Sequence, residues 1–195
     1  DEEKQKTCST SRRTVEVAKL LNSSIHVWKA GMGSVKARDV LEKIESYRVR
    51  IPEFNPDIWV YNTILDTAIK HGEPNAHELG EEMIQSLMHG RLENPMARPD
   101  TITFTIAIDA LAKSGASDAP QRAEALLQQL KNLISSPTTC DTWKVELAPT
   151  YKTYSAMIST WANHHSLSTA TTFTSTAAAA QRAETLLYES PPPLQ

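Results

Sequence analysis

The feature that most constrains this chain is a helical pattern that recurs four times along it. Each copy opens with three bulky or apolar residues at steps of three or four, and such steps place them on one side of a helix. The opening sets are Leu21/Ile25/Trp28, Tyr61/Leu65/Ala68, Phe104/Ile108/Leu111 and Tyr154/Ile158/Trp161. The second set of each copy begins with an alanine: Ala37/Val40/Leu41/Ile44, Ala76/Leu79/Met83, Ala123/Leu126/Leu127/Leu130 and Ala183/Leu186/Leu187. A recurring helical hairpin predicts a stacked array, and such arrays usually bind extended partners.

The third copy shows the hairpin most clearly. Its first helix follows Pro99-Asp100, and Asp100 or Thr101 can cap the exposed amides at the helix start. Gly115 supplies the left-handed residue that ends this helix. A polar link then leads to the second helix, with Asp118 as a candidate cap and Pro120 in the first turn. The copy therefore predicts two helices joined by a short turn.

The register of the four copies predicts the organisation of the chain. A single array is expected over residues 14–190, with a frayed polar tail at 1–13 and a proline-rich stub at 191–195. Insertions fall where loops are expected, at 88–98, 133–147 and 163–179, and the last, rich in Thr and Ser, is expected to be mobile. The repeats are predicted at about 18–57, 58–100, 101–150 and 151–190.

Composition limits the classes of function. The formal net charge is -3, so binding to a polyanion needs a local basic stripe or parts of the protein beyond this segment. No apolar run approaches the ~20 residues that span a bilayer. Cys8 and Cys140 match no metal-ligand spacing and suggest no disulfide framework. Because the chain begins with Asp, we expect a piece of a longer protein whose targeting peptide, if any, lies upstream.

The chain resembles the pentatricopeptide repeat (PPR) family over nearly all of its length. The resemblance rests on an aromatic-polar pair, a Lys-x-Gly helix end, an Ala-x-x-Leu second helix and a Pro-Asp close. The runs that carry it are Asp57 to Asp66 with Ala76 to Met83, Pro99 to Gly115, and Pro149 to Trp161. The resemblance implies an all-α, right-handed α-solenoid of about four stacked antiparallel helical hairpins.

The family binds single-stranded RNA with one base per repeat. The resemblance implies that the polar residue after each aromatic anchor reads a base together with the residue that closes the repeat. The implied pairs are Asn22 with Asp57, Asn62 with Asp100 and Thr105 with Thr150, whereas Ser155 has no closing residue in this chain. In this family Asn with Asp tends to favour uridine, and Thr or Ser in the first place tends to favour purines.

The resemblance also implies the surroundings of each base. The bases are flanked by the side chains of Trp59, Ile102 and Lys152, of which Lys152 departs from the apolar pattern. Lys70 and Lys113 match the family's phosphate-facing lysine, and Asn163 replaces it in the fourth copy.

For several of these residues a purely structural role is the alternative to RNA contact. Asn62 and Thr105 can be polar residues of a helix surface, and Lys70 and Lys113 can be solvated helix ends. Trp28 and Trp161 share stripes with isoleucines and are expected in the core, whereas Trp59 lies off its stripe and is expected at a surface.

Catalytic signals are weak. The run His77 to Glu81 is similar to a zinc-protease helix motif, but Glu81 stands where the second histidine is required. We expect no catalysis, cofactor, metal, small-molecule substrate or membrane contact in this segment.

The expected partner is single-stranded RNA, and the expected role is that of an adaptor in organellar RNA processing, stability or translation, in mitochondrion or chloroplast by resemblance alone. The alternatives are a protein–protein scaffold of helical repeats and an accessory region of an RNA-processing enzyme.

Overall fold

The described part of the chain is entirely helical. The computed structural model describes residues 36–50, 56–90, 97–137, 139–167 and 173–189, and these contain eight α-helices and no strand. The all-α prediction is therefore confirmed for this part. Asn22, the first opening set Leu21/Ile25/Trp28, Cys8, the predicted tail and the predicted stub lie outside the described residues. The helices are α1 (Ala37–Arg50), α2 (Ile58–Lys70), α3 (Ala76–Gly90), α4 (Thr101–Ser114), α5 (Ala119–Ser135), α6 (Asp141–Glu146), α7 (Tyr151–Leu167) and α8 (Phe173–Glu189).

The described residues form two compact units. The first comprises 36–50, 56–74, 85–90 and 97–98, and the second comprises 75–84 and the described residues from 99 onward. No helix among the described residues is both long enough and apolar enough to span a membrane.

Most of the residues predicted to start or end helices are found in those positions. Asp100 is the N-cap of α4, where its Oδ1 accepts a hydrogen bond from the Thr103 amide at 2.8 Å, and Gly115 ends the helix with φ 69°. Asp57 caps α2 in the same way, accepting from the Val60 amide at 3.2 Å. Asp118 occupies the N-cap position of α5, but its side chain makes no capping hydrogen bond.

In the first unit, α1 packs against α2. The carboxylate of Glu73 accepts from the Ala37 amide at 2.9 and 3.1 Å and so caps the start of α1 from 36 residues away. The Tyr61 hydroxyl donates to Glu45 Oε1 at 2.9 Å. Burial raises the pKa of the Tyr61 phenol above its ordinary value, and the Glu45 carboxylate raises it further. Ala37, Ile44 and Tyr61 are buried, as their stripes predict, whereas Val40 and Leu41 are half-buried.

In the second unit, α4 packs against both α5 and α7. The predicted stripe Phe104, Ile108 and Leu111 of α4 is buried, and so is the complete stripe of α5, Ala123/Leu126/Leu127/Leu130. Apolar burial of this kind is the main favourable term in folding. The two stripe predictions for the third copy are therefore confirmed.

Two pairs of helices in this unit run parallel. Thr105 and Thr153 meet near the starts of α4 and α7, with Oγ1 atoms 2.8 Å apart, and Asn163 Nδ2 donates to the Ala112 carbonyl at 2.8 Å near their ends. Between α5 and α8, Glu124 pairs with Arg182 and Lys131 pairs with Glu189. Both of these pairs join residues 58 positions apart, so they link α5 and α8 at a constant offset.

The insertion at 133–147 differs from the predicted loop because it contains α6. Trp143 is buried, and its indole Nε1 donates to the Pro99 carbonyl at 3.0 Å. The Thr101 hydroxyl donates to the Glu146 carbonyl at 2.7 Å. A large aromatic side chain that is buried with its N–H satisfied is enough to fix a short segment, and this one holds the insertion against the start of α4.

The fourth copy departs from its prediction in three places. Helix α7 runs on to Leu167, and α8 already begins at Phe173, so much of the predicted 163–179 loop is helical. Trp161, expected in the core, is half-buried and donates through Nε1 to Glu124 Oε1 at 3.3 Å. Leu187 was expected on the buried face, but it is 62 % exposed, whereas Leu186 is fully buried.

Candidate nucleic-acid interface

Among the described residues, the implied base-flanking, first reading and phosphate residues lie on one face of each first helix. On α4 these are Ile102, Thr105 and Lys113, at steps of three and eight, with Asp109 between the last two. Steps of three, four and four keep side chains on one stripe of a helix. We call this stripe, together with its counterparts, the outer stripe: Trp59/Asn62/Asp66/Lys70 on α2, Ile102/Thr105/Asp109/Lys113 on α4 and Lys152/Ser155/Ser159/Asn163 on α7.

The outer stripe lies on the side of each helix away from its apolar stripe, although Asn62 of α2 is itself buried. Phe104, Ile108 and Leu111 occupy the opposite side of α4 and are buried, whereas Ile102 is 58 % exposed. On α2, Trp59 is 42 % exposed, and Lys152 at the same position of α7 is also exposed. The prediction that Trp59 lies at a surface is confirmed. Each of these three first helices thus presents a large, exposed side chain near its start.

The implied reading residues differ in their surroundings. Asn62 is only 7 % exposed, Thr105 is half-buried and Ser155 is exposed. The Thr105 hydroxyl donates to the Thr101 carbonyl at 2.7 Å and lies 2.8 Å from Thr153 Oγ1. A hydroxyl has one donor and two acceptor sites. If Thr153 donates to it, Thr105 keeps one acceptor site for a further contact.

The closing residues of the repeats are helix caps. Asp57 and Asp100 cap α2 and α4 through Oδ1, as described above. Thr150 flanks the start of α7, where its amide donates to Thr153 Oγ1 at 3.2 Å. An ionised carboxylate offers about four acceptor sites. A cap therefore leaves acceptor capacity on Asp57 for another donor, whereas Asp100 Oδ1 accepts from both the amide and the hydroxyl of Thr103.

The two lysines that end the outer stripe on α2 and α4 are paired. Lys70 Nζ lies 2.6 Å from Asp66 Oδ2, and Lys113 Nζ lies 2.6 Å from Asp109 Oδ2. Sequence reasoning named the lysines but missed the aspartates, although an i,i+4 spacing of Asp and Lys on a predicted helix is a readable signal. Exposed pairs of this kind contribute little to stability, so either lysine can turn to another anion at small cost.

Asn163 takes the place of the lysine in α7. Its Nδ2 donates to the Ala112 carbonyl at the end of α4. This side chain therefore joins α7 to α4, and its role here is structural.

The second unit brings two of the three described reading residues onto neighbouring helices. Thr105 on α4 and Ser155 on α7 lie on helices that run parallel and in contact. Asn62 belongs to the first unit. Among the described residues, no group of three or more His, Cys, Asp or Glu side chains is arranged to hold a metal ion.

Comparison of the chain with models of protein families, with curated proteins and with solved structures finds no match.

Proposed function

We propose that this chain binds single-stranded RNA in a sequence-selective way. The observation that carries the proposal is the outer stripe. It repeats on α2 and α4 the same order of an exposed apolar or aromatic side chain, a polar side chain, an aspartate and a lysine, of which only Asn62 is buried. A nucleotide has a flat apolar face, a hydrogen-bonding edge and a phosphate, and the stripe offers a complement to each of these.

Each contact has a physical basis. A base stacked on Trp59 gains ~1–3 kcal/mol, and every base has a face that can stack, so this contact carries little selectivity. Selectivity then comes from the polar residue. Asn62 offers both a donor and an acceptor to a base edge, whereas ionised Asp100 only accepts. Lys70 and Lys113 supply positive charge for phosphates. To do so, each lysine leaves its aspartate partner and pairs with a phosphate instead.

The parallel packing of α4 with α7 and the ion pairs between α5 and α8 support a solenoid of stacked hairpins of the pentatricopeptide kind, which the resemblance implies is right-handed. In that arrangement successive outer stripes lie side by side, and one nucleotide is read per hairpin. We further propose that the chain acts as an adaptor in organellar RNA processing, stability or translation, without catalysis in this segment.

A protein–protein scaffold is the second candidate. The observation that favours it is charge, since the net charge is -3 and Asp66 and Asp109 pair with Lys70 and Lys113. RNA binding and protein binding respond differently to salt, because only a polyanion releases condensed counterions.

The test is selection from a random RNA pool, followed by titration of the enriched RNA against salt. Lys70→Gln and Lys113→Gln should each weaken binding to all sequences and reduce the salt slope by about one. Lys43→Gln, an exposed lysine on α1, is the matched control. A pool without enrichment, or a salt slope that both stripe variants leave unchanged, would overturn the proposal.

A further inference from the structure

A buried threonine connects the two residues that are implied to read the base of the third repeat. Thr153, the third residue of α7, has no exposure to solvent. Its Oγ1 lies 2.8 Å from the Thr105 hydroxyl of α4 and accepts from the Thr150 amide at 3.2 Å. The Thr150 hydroxyl lies 3.4 Å from the same oxygen. One fully buried side chain therefore contacts both members of the implied reading pair.

The direction of these hydrogen bonds follows from the groups that are present. The Thr105 hydroxyl lies 2.7 Å from the Thr101 carbonyl, and a carbonyl only accepts, so the single proton of Thr105 is used there. Thr153 must therefore donate to Thr105 Oγ1, and it fills one of the two acceptor positions of that oxygen. No residue that the structure describes fills the other. Thr105 can thus accept one more hydrogen bond, but it has no proton to donate.

The equivalent threonine of α4 donates elsewhere. Thr103 is also fully buried, and its Oγ1 accepts from the Asp100 amide at 3.2 Å, as Thr153 accepts from the Thr150 amide. The proton of Thr103, however, goes to Asp100 Oδ1 at 2.8 Å. Thr150 carries no carboxylate, so the proton of Thr153 is directed to Thr105 instead. The residue that closes each repeat therefore sets which way the buried hydroxyl donates.

An oxygen that accepts without donating distinguishes between bases. Adenine, guanine and cytosine each carry an exocyclic amino group, which donates, whereas the exocyclic groups of uracil are carbonyls, which only accept. Uracil would therefore place a carbonyl oxygen against Thr105 Oγ1 without a proton between them. Asn62 in the second repeat has no such restriction, because its amide both donates and accepts.

We propose that Thr153 is a positioning residue that holds Thr105 as an acceptor, so that the third repeat selects a base with an exocyclic amino group and rejects uridine. This inference rests on the proposed function, because it requires Thr105 to meet a base. Thr153 does not touch the RNA and acts through Thr105 and Thr150. Resemblance to the family predicts a purine from Thr105 alone, and the hydrogen bonds of Thr153 add the chemical group that is recognised.

The first test uses the wild-type chain and RNA enriched by it from a random pool. Parallel selection with Thr105→Val identifies the position that Thr105 reads, because only that position should change. The base found there is then replaced by its counterpart without the amino group: purine riboside for adenosine, inosine for guanosine or pyrimidin-2-one riboside for cytidine. The replacement should weaken binding about fivefold, as expected for loss of one hydrogen bond. Uridine should weaken binding at least as much.

The second test removes the buried hydroxyl. A threonine in a helix has two accessible rotamers, so in Thr153→Val the Thr105 side chain can turn and release its proton from the Thr101 carbonyl. Discrimination against the base without an amino group should then fall to about twofold, while all other positions of the RNA keep their preferences. Thr153→Ser retains the hydroxyl and should restore the discrimination.

Thr160→Val is the matched control. Thr160 is another buried threonine of α7, and its hydroxyl donates to the Ala156 carbonyl of its own helix. This variant should leave every base preference unchanged. Thermal midpoints show whether each variant is folded, and the measurements with the wild-type chain hold even if Thr153→Val is not.

A third test needs no RNA. If Thr153 and Thr105 are bonded, Thr153→Val and Thr105→Val together should lower the folding equilibrium constant by less than the product of the two single effects.

Different results overturn this inference and the proposed function. A pool without enrichment overturns both. With enrichment, the inference alone is overturned by uridine at the position that Thr105 reads, by equal binding of the base without an amino group, or by no position that responds to Thr105→Val. Wild-type discrimination in folded Thr153→Val, or independent effects of Thr153→Val and Thr105→Val on folding, overturns it as well.

Discussion

Arg182 and Glu124, 58 positions apart in the sequence, are joined by two hydrogen bonds between α8 and α5. The same glutamate also accepts from Trp161 Nε1, and Arg182 reaches Glu189 at 3.1 Å. The hydrogen bond from Arg182 to Glu124 raises the pKa of the guanidinium. One ion pair thus connects three helices of the second unit.

Removing this arginine should destabilise the protein. Arg182→Met leaves the partly buried Glu124 without its cation, and we expect a loss of ~1–3 kcal/mol in the free energy of unfolding. Urea denaturation measures the change. The control is Lys113→Met, which breaks an exposed pair and should cost less than ~0.5 kcal/mol. Equal losses in the two variants would show that the Arg182 pair adds no more than a surface contact.

The core of α4 gives a second prediction. Leu111→Ala removes a fully packed side chain and should cost ~2–5 kcal/mol, because it removes buried apolar surface and leaves a cavity. Ile102→Ala, on the exposed side of the same helix, should change stability by no more than ~0.5 kcal/mol. Chemical denaturation of both variants checks the assignment, and a Leu111→Ala protein as stable as wild type would contradict it.

Ionisation of Tyr61 should lower the free energy of unfolding at alkaline pH. Its pKa in the folded protein is raised above the unfolded value near 10. The folded state therefore keeps the proton after the unfolded state has lost it. The stabilisation that this difference provides is complete below pH ~10 and declines as pH rises further.

Thermal midpoints between pH 7 and pH 11 test this contribution. Tyr61→Phe should lower stability at pH 7 by ~0.5–1.5 kcal/mol through loss of the bond to Glu45, and it should also reduce the alkaline loss. Tyr188→Phe, which alters an exposed tyrosine, should keep the wild-type dependence on pH. An alkaline loss that Tyr61→Phe leaves intact would contradict the prediction.

Base selectivity gives a prediction that depends on the proposed function. Asn62→Ser should shift the preference at one position of the selected RNA from pyrimidine towards purine, while total affinity changes little. The measurement is parallel selection from a random RNA pool with both proteins. Asn132→Ser, on the exposed surface of α5, is the control. The same enriched motif for Asn62→Ser and wild type would show that Asn62 does not read a base.

Local features were predictable because each depends on residues within a few positions. The cap at Asp100, the left-handed Gly115 and the buried stripe of Phe104, Ile108 and Leu111 follow from helix periodicity and from the unpaired groups at helix ends. The exposure of Trp59 follows from its place off that periodicity.

Prediction failed where a side chain depends on a distant neighbour. Trp143 was placed in a loop, but it is buried because the Pro99 carbonyl, 44 positions earlier, accepts its indole N–H. Trp161 was placed in the core, but its indole reaches Glu124 at the edge of α5. Leu187 matches Leu127 in sequence and was expected to be buried, yet it is 62 % exposed whereas Leu127 is 1 % exposed.

The chain's own order of residues decided that it forms helices, where several of them start and stop, and which stripe of each is apolar, because these depend on propensity and periodicity within one or two turns. Only the tertiary structure decided which helices are neighbours. That choice turned Arg122 and Arg182 from ordinary polar residues of a helix surface into partners of Glu81 and Glu124. The physical reason is that an ion pair between helices requires two surfaces in contact, and contact is a property of packing.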